Sequence, residues 1–249
     1  MEKNAKVAKK YIWIGVFVFI FIIGLTLYGF GYRFTENFSI GKVGHLIITT
    51  SLIDTSIFVD QDRKIFTSKD NEVTLIELSP GKHQVIVSHE RYFPWQKQFT
   101  MPSGSELKLS PILIAQNPSG LIVTEKDPEY WKIKNEISKQ TLPIKSIPLV
   151  SPDLSTSLWI ENNAIVISKE NLTETIIEPT ANIRQVDFYK DRGDAVIFST
   201  SDTVYLIETD KKDTQNFFPI YKGTKPSFIK TDPNFIYVDD GSVLMQVSI

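Results

Sequence analysis

Between Tyr11 and Phe30 the chain runs for twenty residues without a charge, YIWIGVFVFIFIIGLTLYGF. No other feature limits the fold as sharply. As an α-helix, at ~1.5 Å rise per residue, such a run is about 30 Å long and matches the hydrocarbon core of a bilayer. Val, Ile and Phe surround the helix on every side, which suits lipid better than the single stripe a protein partner would need. Tyr11 and Trp13 stand at one end and Tyr28, Phe30 and Tyr32 at the other, where rings with an apolar body and a polar edge favour the interface. Residues 11–32 are therefore predicted to form a single transmembrane helix, with the lipid bilayer as partner. A cleaved signal peptide would have a shorter apolar core, about 7–15 residues, and a small-residue cleavage site. Leu27-Tyr28-Gly29 and Tyr28-Gly29-Phe30 match that site poorly.

Charge sets the orientation. The net charge of −2 hides an asymmetry: residues 1–10 carry Lys3, Lys6, Lys9 and Lys10 against Glu2, a net +3, which leaves the remainder at −5. Only Arg33 and Lys42 closely follow the span, so the positive-inside bias predicts a cytoplasmic tail (1–10) and an extracytoplasmic C-terminal portion. A mildly acidic bulk without a basic stripe argues against nucleic-acid binding. The absence of cysteine excludes disulfides, Fe–S clusters, thiolate zinc and cysteine nucleophiles.

Past a short polar linker (33–42) the pattern changes to period two. His45–Thr50, Ser56–Asp60, Val73–Leu78, His83–Ser88, Gln98–Met101 and Glu106–Leu109 are short β-branched runs separated by Asp, Asn, Ser, Pro and Gly, and read as strands joined by turns. Six or so strands without a helical segment predict a small β-sandwich over 43–114. This stretch resembles the PEGA domain, a small β-sandwich of envelope and surface proteins. Gly44-His45-Leu46-Ile47-Ile48 is similar to the family's opening strand, and Ser56-Ile57-Phe58-Val59-Asp60 to the strand before its next turn. Leu78-Ser79-Pro80-Gly81-Lys82-His83-Gln84-Val85 corresponds to its "L-x-x-G-x-H-x-V", and Arg91-Tyr92 with Pro94 to its "G-Y-x-P". Leu52-Ile53-Asp54-Thr55 stands where the name-giving Pro-Glu-Gly-Ala would be, and Arg91 replaces a glycine.

His83, His45 and His89 have no His or Cys at ligand spacing and read as structural. Tyr92, Phe93 and Trp95 cluster around Pro94. Aromatics of this kind stack on sugars or peptides, and equally fill core and edge positions. They are the candidate ligand contacts.

Residues 118–249 carry a repeat. Turn dipeptides Asn162-Asn163, Ser201-Asp202 and Asp240-Gly241 each join two strand-like runs, and they recur in two steps of 39. A polar loop bearing Asp precedes each hairpin: Ser151-Pro152-Asp153, Lys190–Asp194 and Thr231–Asn234. A period near 40 with several strands per unit is what propeller blades show. The repeat resembles blades of WD40-like and TolB-like propellers, with Ser151-Pro152-Asp153 similar to their "S-P-D-G" turn and Leu154 in place of the glycine. A fourth, degenerate unit is expected where Leu121-Ile122-Val123 and Tyr130-Trp131-Lys132-Ile133 flank Asp127-Pro128. Three to four units lie at or below the ~4–8 with which propellers close, so a partial or small propeller is expected.

The chain is thus expected to be mainly β. No Gly-x-Ser-x-Gly elbow, phosphate-cradling loop or His-Glu-x-x-His is present, and no catalytic, cofactor or metal residue is assigned. Asp60 with Asp62, and Asp239 with Asp240, read as turn carboxylates. Asn37-Phe38-Ser39 and Asn171-Leu172-Thr173 match the glycosylation pattern. The expected function is a non-catalytic, single-pass envelope interaction module that binds protein or polysaccharide. The alternative is an assembly or sensory subunit whose blades are completed by partner chains or by oligomerisation.

Overall fold

The computed structural model describes residues 2–34, 40–50, 52–61, 63–66, 73–212, 214–241 and 243–249. Asn37-Phe38-Ser39 and Asp62 lie outside the described residues. The chain is mainly β and divides into two compact units: Met1–Val85 with Gln98–Pro111, and Ile86–Lys97 with Ile112–Ile249.

The first unit begins with helix α1, Glu2–Gly29. Its Ile12–Gly29 portion is long and apolar enough to cross a membrane, and none of it is buried. Strands β1 (Tyr32–Phe34) and β2 (Ile40–Lys42) pair antiparallel, so the stretch expected as a linker carries two short strands. Then come β3 (Gly44–Thr49), β4 (Ser56–Val59), β5 (Arg63–Phe66), β6 (Val73–Leu78), β7 (Gly81–Ser88), β8 (Trp95–Met101) and β9 (Glu106–Leu109), of which the end of β7 (Ile86–Ser88) and the start of β8 (Trp95–Lys97) count with the second unit. They form two sheets, in the orders β6-β3-β9 and β5-β4-β7-β8. Within the first, β3 runs antiparallel to β6 and parallel to β9. Alternation places Leu46, Ile48, Ile76 and Leu78 inward on one sheet and Ile57, Val59 and Val85 inward on the other. Gly44 permits a close approach: a Cβ there would stand 2.5 Å from Met101 Sδ and 3.0 Å from Ser105 O. His83 is tied by its ring, Nδ1 at 2.6 Å from Asp60 Oδ2 and Nε2 at 2.7 Å from Ser79 O, which links two turns.

The second unit holds β10 (Gly120–Val123), helix α2 (Tyr130–Lys139) and strands β11 (Leu149–Val150), β12 (Thr156–Glu161), β13 (Ala164–Lys169), β14 (Leu172–Ile177), β15 (Gln185–Phe188), β16 (Ala195–Ser199), β17 (Thr203–Glu208), β18 (Phe217–Lys222), β19 (Ser227–Asp232), β20 (Phe235–Asp239) and β21 (Leu244–Ser248). Three four-stranded antiparallel sheets result: β11-β12-β13-β14, β15-β16-β17-β18 and β10-β21-β20-β19. Each expected hairpin is present, and Asn162 and Asn163 adopt φ of 50° and 65°, the left-handed values a tight hairpin turn requires. The third sheet takes its fourth strand from β10, with Gly120 opposite Val247.

Two expectations are corrected here. Tyr130–Ile133 belongs to a helix, because Tyr130, Ile133 and Ile137 recur at helical spacing and are buried together. Leu121–Val123, in turn, is an edge strand of the third sheet and not part of a fourth unit.

The sheets share cores in chain order. Leu158, Ile165 and Ile167 of the first meet Val196, Phe198 and Ile207 of the second. The opposite face of the second, Ala195, Ile197, Val204 and Leu206, meets Phe228, Ile236, Val238 and Val247 of the third. The far side of the third, with Val123 and Leu244, is covered by Tyr130, Ile133 and Ile137 of α2. The second sheet is therefore enclosed on both faces, which is why Ala195–Phe198 of β16 is a continuous apolar run.

Candidate functional site

The second unit contains a polar cleft of about 320 Å³ where the C-terminal half of α2 meets the starts of β15 and β19 and the end of β20. Helix α2 brings Lys134, Ser138 and the following Gln140 to it, alongside Ile137 of the apolar Tyr130–Ile133–Ile137 seam. Arg184 and Gln185 enter from β15, Ser227 from β19 and Asp239 from β20.

Most of these groups are fixed before any ligand arrives. Arg184 donates from Nη1 to Pro226 O at 3.0 Å and from Nη2 to Ser227 Oγ at 2.8 Å. Gln185 is buried; its Oε1 accepts from Phe228 N and its Nε2 donates to Ile137 O at 3.4 Å. The Lys134 ammonium lies 3.3 Å from Asp239 Oδ1 and 3.4 Å from Gly241 O. The Asp239 carboxylate therefore faces Lys134 as its ion-pair partner in the cleft. Burial by itself would lower the Lys134 ammonium, but Asp239 and then Tyr130 outweigh it and hold the group above its ordinary value.

Beside the cleft, Asp240 acts as a staple. Its carboxylate accepts from the backbone N–H of Thr224 at 2.9 Å, of Lys225 at 2.7 Å, and from Tyr221 Oη at 3.2 Å. Burial would raise this carboxyl, yet those donors carry it below its usual range. Burial and Asp240 push the Tyr221 phenol up to about 12. The carboxylate also needs Gly223, where a Cβ would stand 2.2 Å from Asp240 Oδ2. Both members of the Asp239-Asp240 pair are thus committed to neighbours in the chain. Chemically, the arrangement offers two cations, one carboxylate and several amides and hydroxyls held by backbone contacts. That equips it to recognise a polar group by hydrogen bonding and charge.

The aromatic candidates occupy a different place. Tyr92 and Phe93 lie between β7 and β8 and Trp95 begins β8, all within the stretch Ile86–Lys97 that belongs to the second unit. Tyr92 is half-buried and meets His89 edge to face at 4.9 Å. Phe93 stacks on Phe218 at 5.5 Å, and its N–H donates to Ile114 O at 2.8 Å. Trp95 is 3% exposed, and its indole N–H donates to Glu208 Oε1 at 2.6 Å. Asn216 donates to the other carboxylate oxygen at 2.8 Å and accepts from Gln96 N at 3.1 Å, while Lys97 pairs with Asp210 at 2.8 Å. Burial raises the Glu208 carboxyl, although Asn216 and Trp95 oppose the shift. Each of the three aromatics thus packs on its own partner, and none of them lines the polar cleft.

Lys134, Arg184 and Gln185 escaped sequence reasoning, and Asp239 was read only as a turn carboxylate. No short motif joins them; they converge because α2 crosses the ends of strands far away in the chain. Comparison with models of known families finds no match, and comparison with curated proteins finds none.

Proposed function

We propose that the chain is a non-catalytic, single-pass membrane protein of the cell envelope, N-terminus cytoplasmic, whose extracytoplasmic β units bind a protein or glycan. The observation that carries this reading is Ile12–Gly29, an apolar helix with no burial inside the protein, followed by β units that bury their own strands alternately. In this reading the two sheets of the first unit, each with one buried face, are a PEGA-like sandwich that serves as spacer. The three repeated sheets are propeller-like blades, and the Lys134–Arg184 cleft is the binding face. Tethering then raises the effective concentration of that face against envelope partners. The third sheet takes its last strand from β10 of the same chain, which favours a self-contained module over one completed by partner chains.

Co-sedimentation tests it. Full-length protein in detergent is expected to sediment with membrane-stripped envelope fragments, and Lys134→Ala/Arg184→Ala is expected to lose at least about tenfold in retention, since a charge-assisted contact contributes ~1.5–3 kcal/mol. Equal retention of both proteins, or of neither, contradicts the reading.

A further inference from the structure

The end of α1 and the ribbon that follows it are clipped together. Arg33 stands at the junction: its Nη1 donates to Tyr28 O at 2.9 Å and to Tyr32 O at 3.0 Å, and its guanidinium lies 3.7 Å from the centre of the Tyr28 ring. Gly31, at φ 83°, turns the chain and accepts from Val43 N at 2.8 Å, so the segment after the ribbon also returns to the helix end. These contacts hold β1 at the depth of Tyr28, inside the last turn of the apolar run, and not on a stalk beyond it.

The ribbon's other face is apolar and open. Its register sets Phe34 opposite Ile40 and Tyr32 opposite Lys42. Phe34 is 75% exposed and Ile40 52% exposed, with Tyr28 and Phe30 exposed beside them at the helix end. A headgroup layer is about 5–8 Å thick on each side of the hydrocarbon core, and three strand residues cover ~10 Å at most, so a ribbon fastened at Tyr28 reaches from the edge of the hydrocarbon core into that layer. Aromatic rings beside cations are what this zone accommodates: ring bodies against acyl chains, and ammonium or guanidinium groups toward phosphates.

We propose that Tyr32, Phe34 and Ile40 form an interfacial collar seated in the headgroup layer of the leaflet where α1 ends, with Lys42 directed to lipid phosphate. This rests on the membrane anchoring of α1 proposed above. It adds that the base of the first unit is itself bound to lipid.

A chain without cysteine allows single labels. Phe34→Cys and Ile40→Cys would each carry a polarity-sensitive fluorophore on the full-length protein in phosphatidylcholine nanodiscs, with and without spin-labelled lipid of shallow or deep position. Phe19→Cys in the span and Leu154→Cys in an exposed loop serve as references. Labels at 34 and 40 are expected to be quenched by the shallow spin label far more than the label at 154, and the label at 19 by the deep one. If 34 and 40 behave like 154 while 19 is quenched, the collar is refuted and the anchor stands. If 19 is also unquenched, the anchoring itself fails and takes the collar with it.

Discussion

The Ile12–Gly29 portion of α1 and Ala195–Phe198 of β16 are both continuous uncharged, mostly apolar runs, and their surroundings could not differ more. Every residue of Ala195–Ser199 is buried, because neighbouring sheets cover both faces of β16. No residue of Ile12–Gly29 is buried. A continuous apolar run therefore states only that cover is needed. Whether the cover comes from the chain or from outside depends on length and neighbours. Five residues flanked by hairpins find partners within the fold. A run of about twenty leaves a surface that burial at ~25 cal/mol per Å² would strongly favour covering, and among the described residues none buries it.

The sharpest way to break this contrast is to make one change in both places. Phe198→Ala, at a fully buried ring stacked near Tyr205, is expected to lower unfolding stability by about 3–5 kcal/mol. Phe19→Ala is expected to leave the unfolding of the β units unchanged, since that ring is 64% exposed on α1 and belongs to none of the buried cores. Chemical denaturation of full-length protein in nanodiscs, followed by tryptophan fluorescence, reads both. Equal effects would erase the distinction.

A smaller effect is expected where burial includes a polar group. Trp95→Phe keeps the ring's bulk but strands the Glu208 carboxylate, at a cost of about 1–3 kcal/mol near neutral pH. The sign with pH follows from Glu208's raised native value. Its contribution is fully present below the unfolded pKa and is lost as pH rises through the native one. Removing the indole donor raises that native value further. The gap between wild type and Trp95→Phe should therefore narrow on acidification, and denaturation at a series of pH values measures it. A gap that widens in acid would contradict the assignment.

The smallest effect sharpens the meaning of exposure. Leu154 is 80% exposed, like the residues of α1, but it stands alone in a loop at φ 59°. Asp153, held at about 2 by Ser151 and Ser155, organises that loop, and Leu154 occupies a left-handed position that suits glycine. Leu154→Gly should relieve a left-handed strain of about 1–2 kcal/mol, offset by about 0.5–1 kcal/mol of extra chain entropy. The expected net gain is a small rise in the thermal midpoint. A loss would show that Leu154 has a partner after all.

Much of the β architecture was legible because its signals are local. Val73–Leu78 and Glu106–Leu109 match their strands to the residue, and Asn162-Asn163 announced its hairpin by residue type alone. What stayed hidden was non-local or too short. Tyr130-Trp131-Lys132-Ile133 shows no period in four residues, and its helical seam emerges only when Ile137 is included. The pairing of β10 with β21 spans most of the second unit. The three-residue strands β1 and β2 lack enough alternation to be seen. The cluster Tyr92-Phe93-Trp95 was visible as a cluster, but Glu208, which receives the indole, lies 113 positions away. The cleft was invisible for the same reason.

The central claim is that lipid covers α1 and leaves the β units outside. Single cysteines at Lys6 and Leu154, probed in intact cells with a membrane-impermeant maleimide, test it most directly. Leu154→Cys should label in intact cells and Lys6→Cys only after lysis, with both proteins in the membrane fraction. Labelling of Lys6→Cys in intact cells while Leu154→Cys stays protected, or recovery of the chain in the soluble fraction, would contradict the account.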